Sequence, residues 1–112
     1  MKTNLKEIIT TISNYYDIPI DDIKSKKRNS DIVKARHVYF YLSKKLTNNI
    51  LYKIGNIVNR DHSTVLHGYN VIKWDIKIYK DLQKDIEIIE QNLVSPLVIQ
   101  EIDLLKICEQ IY

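Results

Sequence analysis

The chain has 112 residues, 45% of them hydrophobic and 28% charged, with two glycines, two prolines and one cysteine. That length fits one small domain with a modest core. Cys108 stands alone, which excludes a disulfide within the chain, and no stretch approaches the ~18 consecutive apolar residues of a membrane span. The formal net charge of +3 hides an asymmetry: residues 24–60 hold ten Lys/Arg against one acid, Asp31, and net +9, whereas residues 81–112 hold two lysines against seven acids and net −5. A basic centre of this strength points to a polyanion on one face. Lys6 and Glu7 interrupt the first apolar pattern, which argues against a signal peptide, and the single cysteine makes a reducing cytoplasm the default expectation.

The scarcity of glycine and proline and the helical spacing of the aliphatic residues predict an all-α chain. Asn4 followed by Glu7 resembles a capping box, and Leu5, Ile8, Ile9, Ile12 and Tyr16 then form one helix face. Pro19 interrupts, and Ile20 to Ile23 fits a short helical turn. KSKKRNS (24–30) has no apolar residue and reads as a basic loop, with Ser30 placed to cap the next helix. On that helix Ile32, Ala35, Tyr39, Leu42 and Leu46 share a face at about 100° per residue. Residues 47–49 break it. ILYKIGNIV (50–58) reads as a short third helix, Asn59-Arg60 as a turn, and Asp61 as the cap of a helix from His62 to about Trp74. A stripe of Ile76, Tyr79, Leu82, Ile86, Ile89 and Leu93 follows, with a break near Lys80-Asp81. Ser95-Pro96 is a strong start signal for a last helix reaching about Ile111.

Helices over 50–58 and 62–74, joined by a tight turn, have the dimensions of a helix-turn-helix. On the second, Val65, Tyr69 and Ile72 face the core, and Ser63, His67, Asn70 and Trp74 the opposite side. Asp61, His62, Ser63 and Thr64 occupy the first turn, where a recognition helix reaches base edges. Asp can accept from a cytosine amino group, Ser and Thr suit bases or phosphates, and the amides of a helix N-terminus favour a phosphate. The plainer reading is that Asp61 and Thr64 only cap the helix, and spacing does not choose between the two. A metal site is disfavoured, because His62 and His67 diverge by about 140° around a helix. No cysteine cluster joins them. Ser63 and His62 are sequence neighbours that face apart, so a catalytic triad does not fit. Gly55 and Gly68 are too far apart for a phosphate-binding loop. No enzyme, no metal and no cofactor is expected.

The stretch from Asp22 to Ile72 resembles the C-terminal DNA-binding domain of the bacterial chromosomal replication initiator DnaA. The marks are SKKR in the basic loop, AR within VKARHV, LT at 46–47, IG at 54–55 and, above all, RDHSTVLH at 60–67. The resemblance runs from about Leu5 to Asn92. It implies a small helical bundle around a helix-turn-helix and binding of short double-stranded sites called DnaA boxes. It implies that Arg28 enters the minor groove, where narrow A·T-rich tracts attract arginine. It implies that Asp61, His62 and Ser63 read the major groove, and that Arg36, Lys44, Arg60 and Thr64 contact or approach the backbone. Lys26 and Lys27 would add phosphate attraction.

Four positions depart from the family pattern. Val58-Asn59 replaces a glycine pair, so the turn must form without that freedom, although Asn tolerates left-handed angles. Tyr52 stands where proline is frequent, and His37 where glutamine is frequent. The expected organisation is a DNA-binding domain over 1–93 and a C-terminal helical extension over 94–112. Without the ATPase and oligomerisation domains, this chain would bind a site in replication control or transcription, but not melt an origin. A phage or mobile element is the expected source. The alternative is an interaction or structural module that keeps the fold and has lost site reading. The extension, acidic and apolar on two adjacent sides, fits an intramolecular lid, a homodimer contact or a surface for another protein.

Overall fold

In the computed structural model, which describes residues 3–93, the chain folds into six helices. They are α1 (Leu5–Tyr16), α2 (Ile20–Lys24), α3 (Ser30–Leu46), α4 (Leu51–Ile57), α5 (His62–Asp75) and α6 (Lys80–Leu93), and the described residues contain no strand. α1 starts as its sequence predicts. The Asn4 side-chain oxygen accepts from the Glu7 N–H at 2.8 Å, and the Asn4 amide donates back to the Glu7 carboxylate at 3.1 Å. α1 buries Leu5, Ile8, Ile9 and Ile12, then stops at Asp17, which takes a left-handed φ of 56°. Pro19 precedes the first turn of α2, which buries Ile23.

α3 is the centre of the molecule. α1, α2, α4 and α5 all pack on it, so it is buried on more than the one predicted stripe: Arg36, Val38, Phe40 and Ser43 are enclosed together with Ile32, Ala35, Tyr39 and Leu42. A periodicity argument finds the face toward one neighbour and misses the others. Ser30 is the first helical residue of α3 rather than its cap; Asn29 holds the cap position without a side-chain hydrogen bond.

α4, the turn and α5 form the helix-turn-helix. Within the turn the Arg60 N–H donates to the Gly55 carbonyl at 2.9 Å, folding the chain back over the end of α4. That return leaves no room for a side chain at residue 55, where a Cβ would lie 2.2 Å from the Arg60 carbonyl oxygen. Asn59 supplies the left-handed residue that the turn needs, with φ of 58°. Asp61 then caps α5, its carboxylate accepting from the Thr64 N–H at 2.8 Å. Gly68 faces α3 so closely that a Cβ there would sit 2.5 Å from Phe40 and 2.8 Å from His37.

The stripe beginning at Ile76 divides earlier than expected. Residues 76–79 continue as turns, and α6 begins at Lys80. The Gln83 side-chain amide donates to the Ile76 carbonyl and bridges the break. Tyr79 consequently points outward, while Leu82, Ile86 and Ile89 are buried. α6 is pinned by charge as well as by packing. Asp85 accepts from the hydroxyls of Tyr15 at 2.6 Å and Tyr16 at 3.0 Å and lies 3.3 Å from Lys34, and Glu90 lies 2.7 Å from Lys45. The helix expected over 96–111, with its start at Ser95-Pro96, lies outside the described residues.

The turn geometry makes a directional prediction. Gly55→Ala forces a backbone shift and should lower unfolding free energy by about 1–3 kcal/mol. Asn59→Gly should leave stability near wild type, whereas Asn59→Val should cost about 1–2 kcal/mol, because a β-branched residue resists the left-handed region. Urea denaturation of the three variants checks the order.

Candidate nucleic-acid interface

The basic loop lies against the start of α3 and the helix-turn-helix turn, and the reason is Arg36. Its side chain is buried, and its guanidinium donates to loop carbonyls: Ile23 at 2.8 Å, Ser25 at 2.9 Å and Lys27 at 3.3 Å. Arg60 reaches the same loop from the turn, donating to the Ser25 carbonyl at 2.7 Å. Its other terminal nitrogen donates to the carbonyls of Val58 and Asn59 at 3.1 and 3.2 Å. Burial, and then the neighbouring Arg60 charge, lower the Arg36 pKa from its ordinary value. A guanidinium keeps its proton through such a shift.

Between loop and turn lies an open groove of about 700 Å³ lined by Lys26, Arg28, Arg36, Asn59, Arg60 and Thr64. It therefore gathers five of the residues expected at the site from sequence. Lys26, Lys27 and Arg28 are exposed, with Lys27 turned toward Asp22 at 2.9 Å. Thr64 is half-buried at the groove wall.

The first turn of α5 forms a neighbouring edge, on which Asp61, His62 and Ser63 are exposed. One carboxylate oxygen of Asp61 is occupied, accepting from the Thr64 N–H and, at 3.3 Å, from the Ser63 hydroxyl. These bonds, the Thr64 N–H foremost, hold the Asp61 carboxyl below its ordinary 3.8. Asp61 thus caps α5 while its side chain stays exposed at the edge. The His62 ring lies 4.7 Å from the ring of Tyr52 on α4. Lys44 stands apart from the loop, on α3, with its ammonium 4.5 Å above the Tyr69 ring. Tyr69 in turn stacks on Tyr41 at 5.5 Å.

Two residues that frame the site were not picked out as site residues from sequence. Asn59 lines the groove as well as making the turn. Tyr52 flanks His62; the signal was available, since Leu51, Ile54 and Val58 account for the inward side of α4 and leave Tyr52 outside it. Among the described residues no three His, Cys, Asp or Glu side chains gather as a metal site would, and no helix is long and apolar enough to cross a membrane.

The sequence profile described as bacterial DnaA protein helix-turn-helix matches residues 5–72, from α1 to the buried Ile72 of α5. The chain belongs to the DnaA helix-turn-helix family. It is 41% identical over 90 residues to the chromosomal replication initiator proteins DnaA of Streptococcus pyogenes, Streptococcus agalactiae and Streptococcus uberis. Those alignments cover 80% of this chain and 20% of each relative, so the chain spans about a fifth of their length. The matched DnaA segment includes the basic loop, the whole turn and most of α5. The resemblance in SKKR and RDHSTVLH therefore falls on one continuous surface.

Beneath that surface His37 of α3 meets His67 of α5, their rings 6.0 Å apart and nearly perpendicular. Burial pushes the His37 imidazole below its ordinary 6.5; His67 and Arg36 push the same way, and Asp75 opposes them. With the folded pKa lowered, the unfolded chain binds more protons below about pH 6.5, so stability falls as pH drops through that value toward the folded one. Urea midpoints at pH 7.5 and pH 5.5 should show the loss in the wild type and a smaller loss in His37→Gln.

Proposed function

We propose that this domain reads double-stranded DNA at DnaA-box-like sites in the control of replication, without enzymatic activity or cofactor. The observation that carries this reading is the convergence of the basic loop and the first turn of α5 on one side of the helix-turn-helix. Arg28 sits on a loop that can follow the minor groove while α5 occupies the adjacent major groove. His62, Ser63 and the exposed Asp61 carboxylate meet base edges, and the α5 amides with Thr64 meet a phosphate. Lys26, Lys27, Lys44 and Arg60 add phosphate attraction. Arg36 contributes from behind, by shaping the loop that presents Arg28.

A second reading has its own observation. Trp74, Ile78 and Tyr79 are all more than half exposed at the far end of α5. An apolar patch there suits a protein contact, in which case DNA reading would be secondary or lost. Equal affinity for every duplex is the outcome that would favour this alternative.

Two measurements test the DNA reading. Each phosphate neutralised contributes about −0.9 to the slope of log K against log salt, so four or five engaged cations give a slope between about −3 and −5. A slope near zero rejects phosphate contact. On the preferred site, selected from random duplexes at fixed salt, His62→Ala and Arg28→Ala should each cost about 1–3 kcal/mol. Lys44→Ala should weaken all duplexes alike. If Lys44 controls sequence preference and His62 is neutral, the assignment of roles is wrong.

A further inference from the structure

We propose that Tyr52 is a positioning residue for His62, and that the ring pair sets how strongly one base pair is discriminated; this rests on the DNA-reading function above. α4 has seven residues and buries Ile54 and Gly55. Tyr52 lies off that side and is 59% exposed, so core packing does not explain a large aromatic ring there. Its ring instead meets the imidazole of His62, with centroids 4.7 Å apart and planes inclined at 36°. That is the separation of an offset aromatic contact.

His62 is the first residue of α5 and is exposed, and its ring makes no hydrogen bond among the described residues. Among the described residues the Tyr52 ring is its one aromatic partner. A side chain at a helix start with neither core packing nor hydrogen bonds samples several rotamers, and ordering it on a ligand weakens binding by about two- to tenfold. Tyr52 removes part of that freedom before DNA arrives. The two rings come from the two helices that the turn joins, so the turn geometry fixed by Gly55 and Asn59 also fixes their separation. The effect is expected at whatever base pair His62 meets, because the Tyr52 ring acts through the His62 ring.

The test compares wild type, Tyr52→Ala, Tyr52→Phe, His62→Ala and the Tyr52→Ala/His62→Ala double variant on every single-base-pair change of the preferred site. Proton spectra of the His62 ring are recorded for each His62-containing chain without DNA. Tyr52→Ala should reduce discrimination about two- to tenfold at the base pair where His62→Ala does, and at no other. The double variant should be no worse there than His62→Ala alone, and Tyr52→Phe should match wild type. In free protein, the ring-current shift of the His62 protons should be present in wild type and Tyr52→Phe and lost in Tyr52→Ala. Unchanged discrimination in Tyr52→Ala, an equal loss on all duplexes, or additive losses in the double variant each overturn the proposal. A wild-type chain that binds every duplex equally overturns the DNA-reading function and this inference together. A wild-type preference untouched by Tyr52→Ala overturns the inference alone.

Discussion

Two guanidinium groups meet at the carbonyl oxygen of Ser25, Arg36 from α3 at 2.9 Å and Arg60 from the turn at 2.7 Å. The rest of the surface depends on this junction. A loop as basic as 24–30 repels itself and has no apolar side chain with which to pack. Its backbone carbonyls are the handles left, and arginine, with five donors in a fixed fork, can hold several at once. Burial first, and then the like charge of Arg60, lower the Arg36 pKa there. The carbonyl dipoles offset that repulsion. The result ties the basic loop to the recognition turn.

The charge asymmetry of the sequence resolves into two kinds of lysine. Lys34 and Lys45 face Asp85 and Glu90 of α6, and their charge seats the last described helix. Exposed pairs of this kind contribute little singly; the two tyrosine hydroxyls on Asp85 add directional bonds to one of them. Lys26, Arg28, Lys44 and Lys53 enter no ion pair among the described residues. The acids of α6 therefore neutralise the side of α3 that faces α1 and α6 and leave the side of the loop and α5 positive. A net charge summed over 24–60 mixes a structural population with one available to a polyanion.

The starts of α1 and α5 were legible because a capping side chain is local chemistry, whereas Ser30 was misread as the cap of α3. Asn4 with Glu7, and Asp61 with Thr64, make the bonds that their spacing implies. The α1 face and the outward side of α5 were legible because each of those helices buries mainly one side. α3 was legible as a helix but not in its surroundings, since a helix packed by four others has no single stripe. Arg36 shows the same limit at the level of function. Its place in the VKARHV motif marks it as belonging to the site, yet only the tertiary fold shows the guanidinium turned inward onto the loop carbonyls. The break at 76–79 was misplaced because an apolar stripe can continue through a turn when one side chain, here Gln83, satisfies a freed carbonyl.

Of the four positions read from the sequence as departures from the family pattern, Val58 is buried in the core and the other three touch α5. Asn59 supplies the left-handed φ that joins α5 to α4, Tyr52 touches the first residue of α5, and His37 packs against Gly68 and His67. These three lie outside the hydrogen bonds that hold the frame, such as Tyr39 with the Ile54 carbonyl or the arginines with Ser25. Recognition by a helix tip is sensitive to small changes in angle and side-chain position, because a base contact needs its donor and acceptor within a few tenths of an ångström. A fold can therefore keep its frame and alter what it reads by changing only residues that touch the reading helix. Asn59, Tyr52 and His37 are placed to act in that way, since they border α5 from the turn, from α4 and from α3.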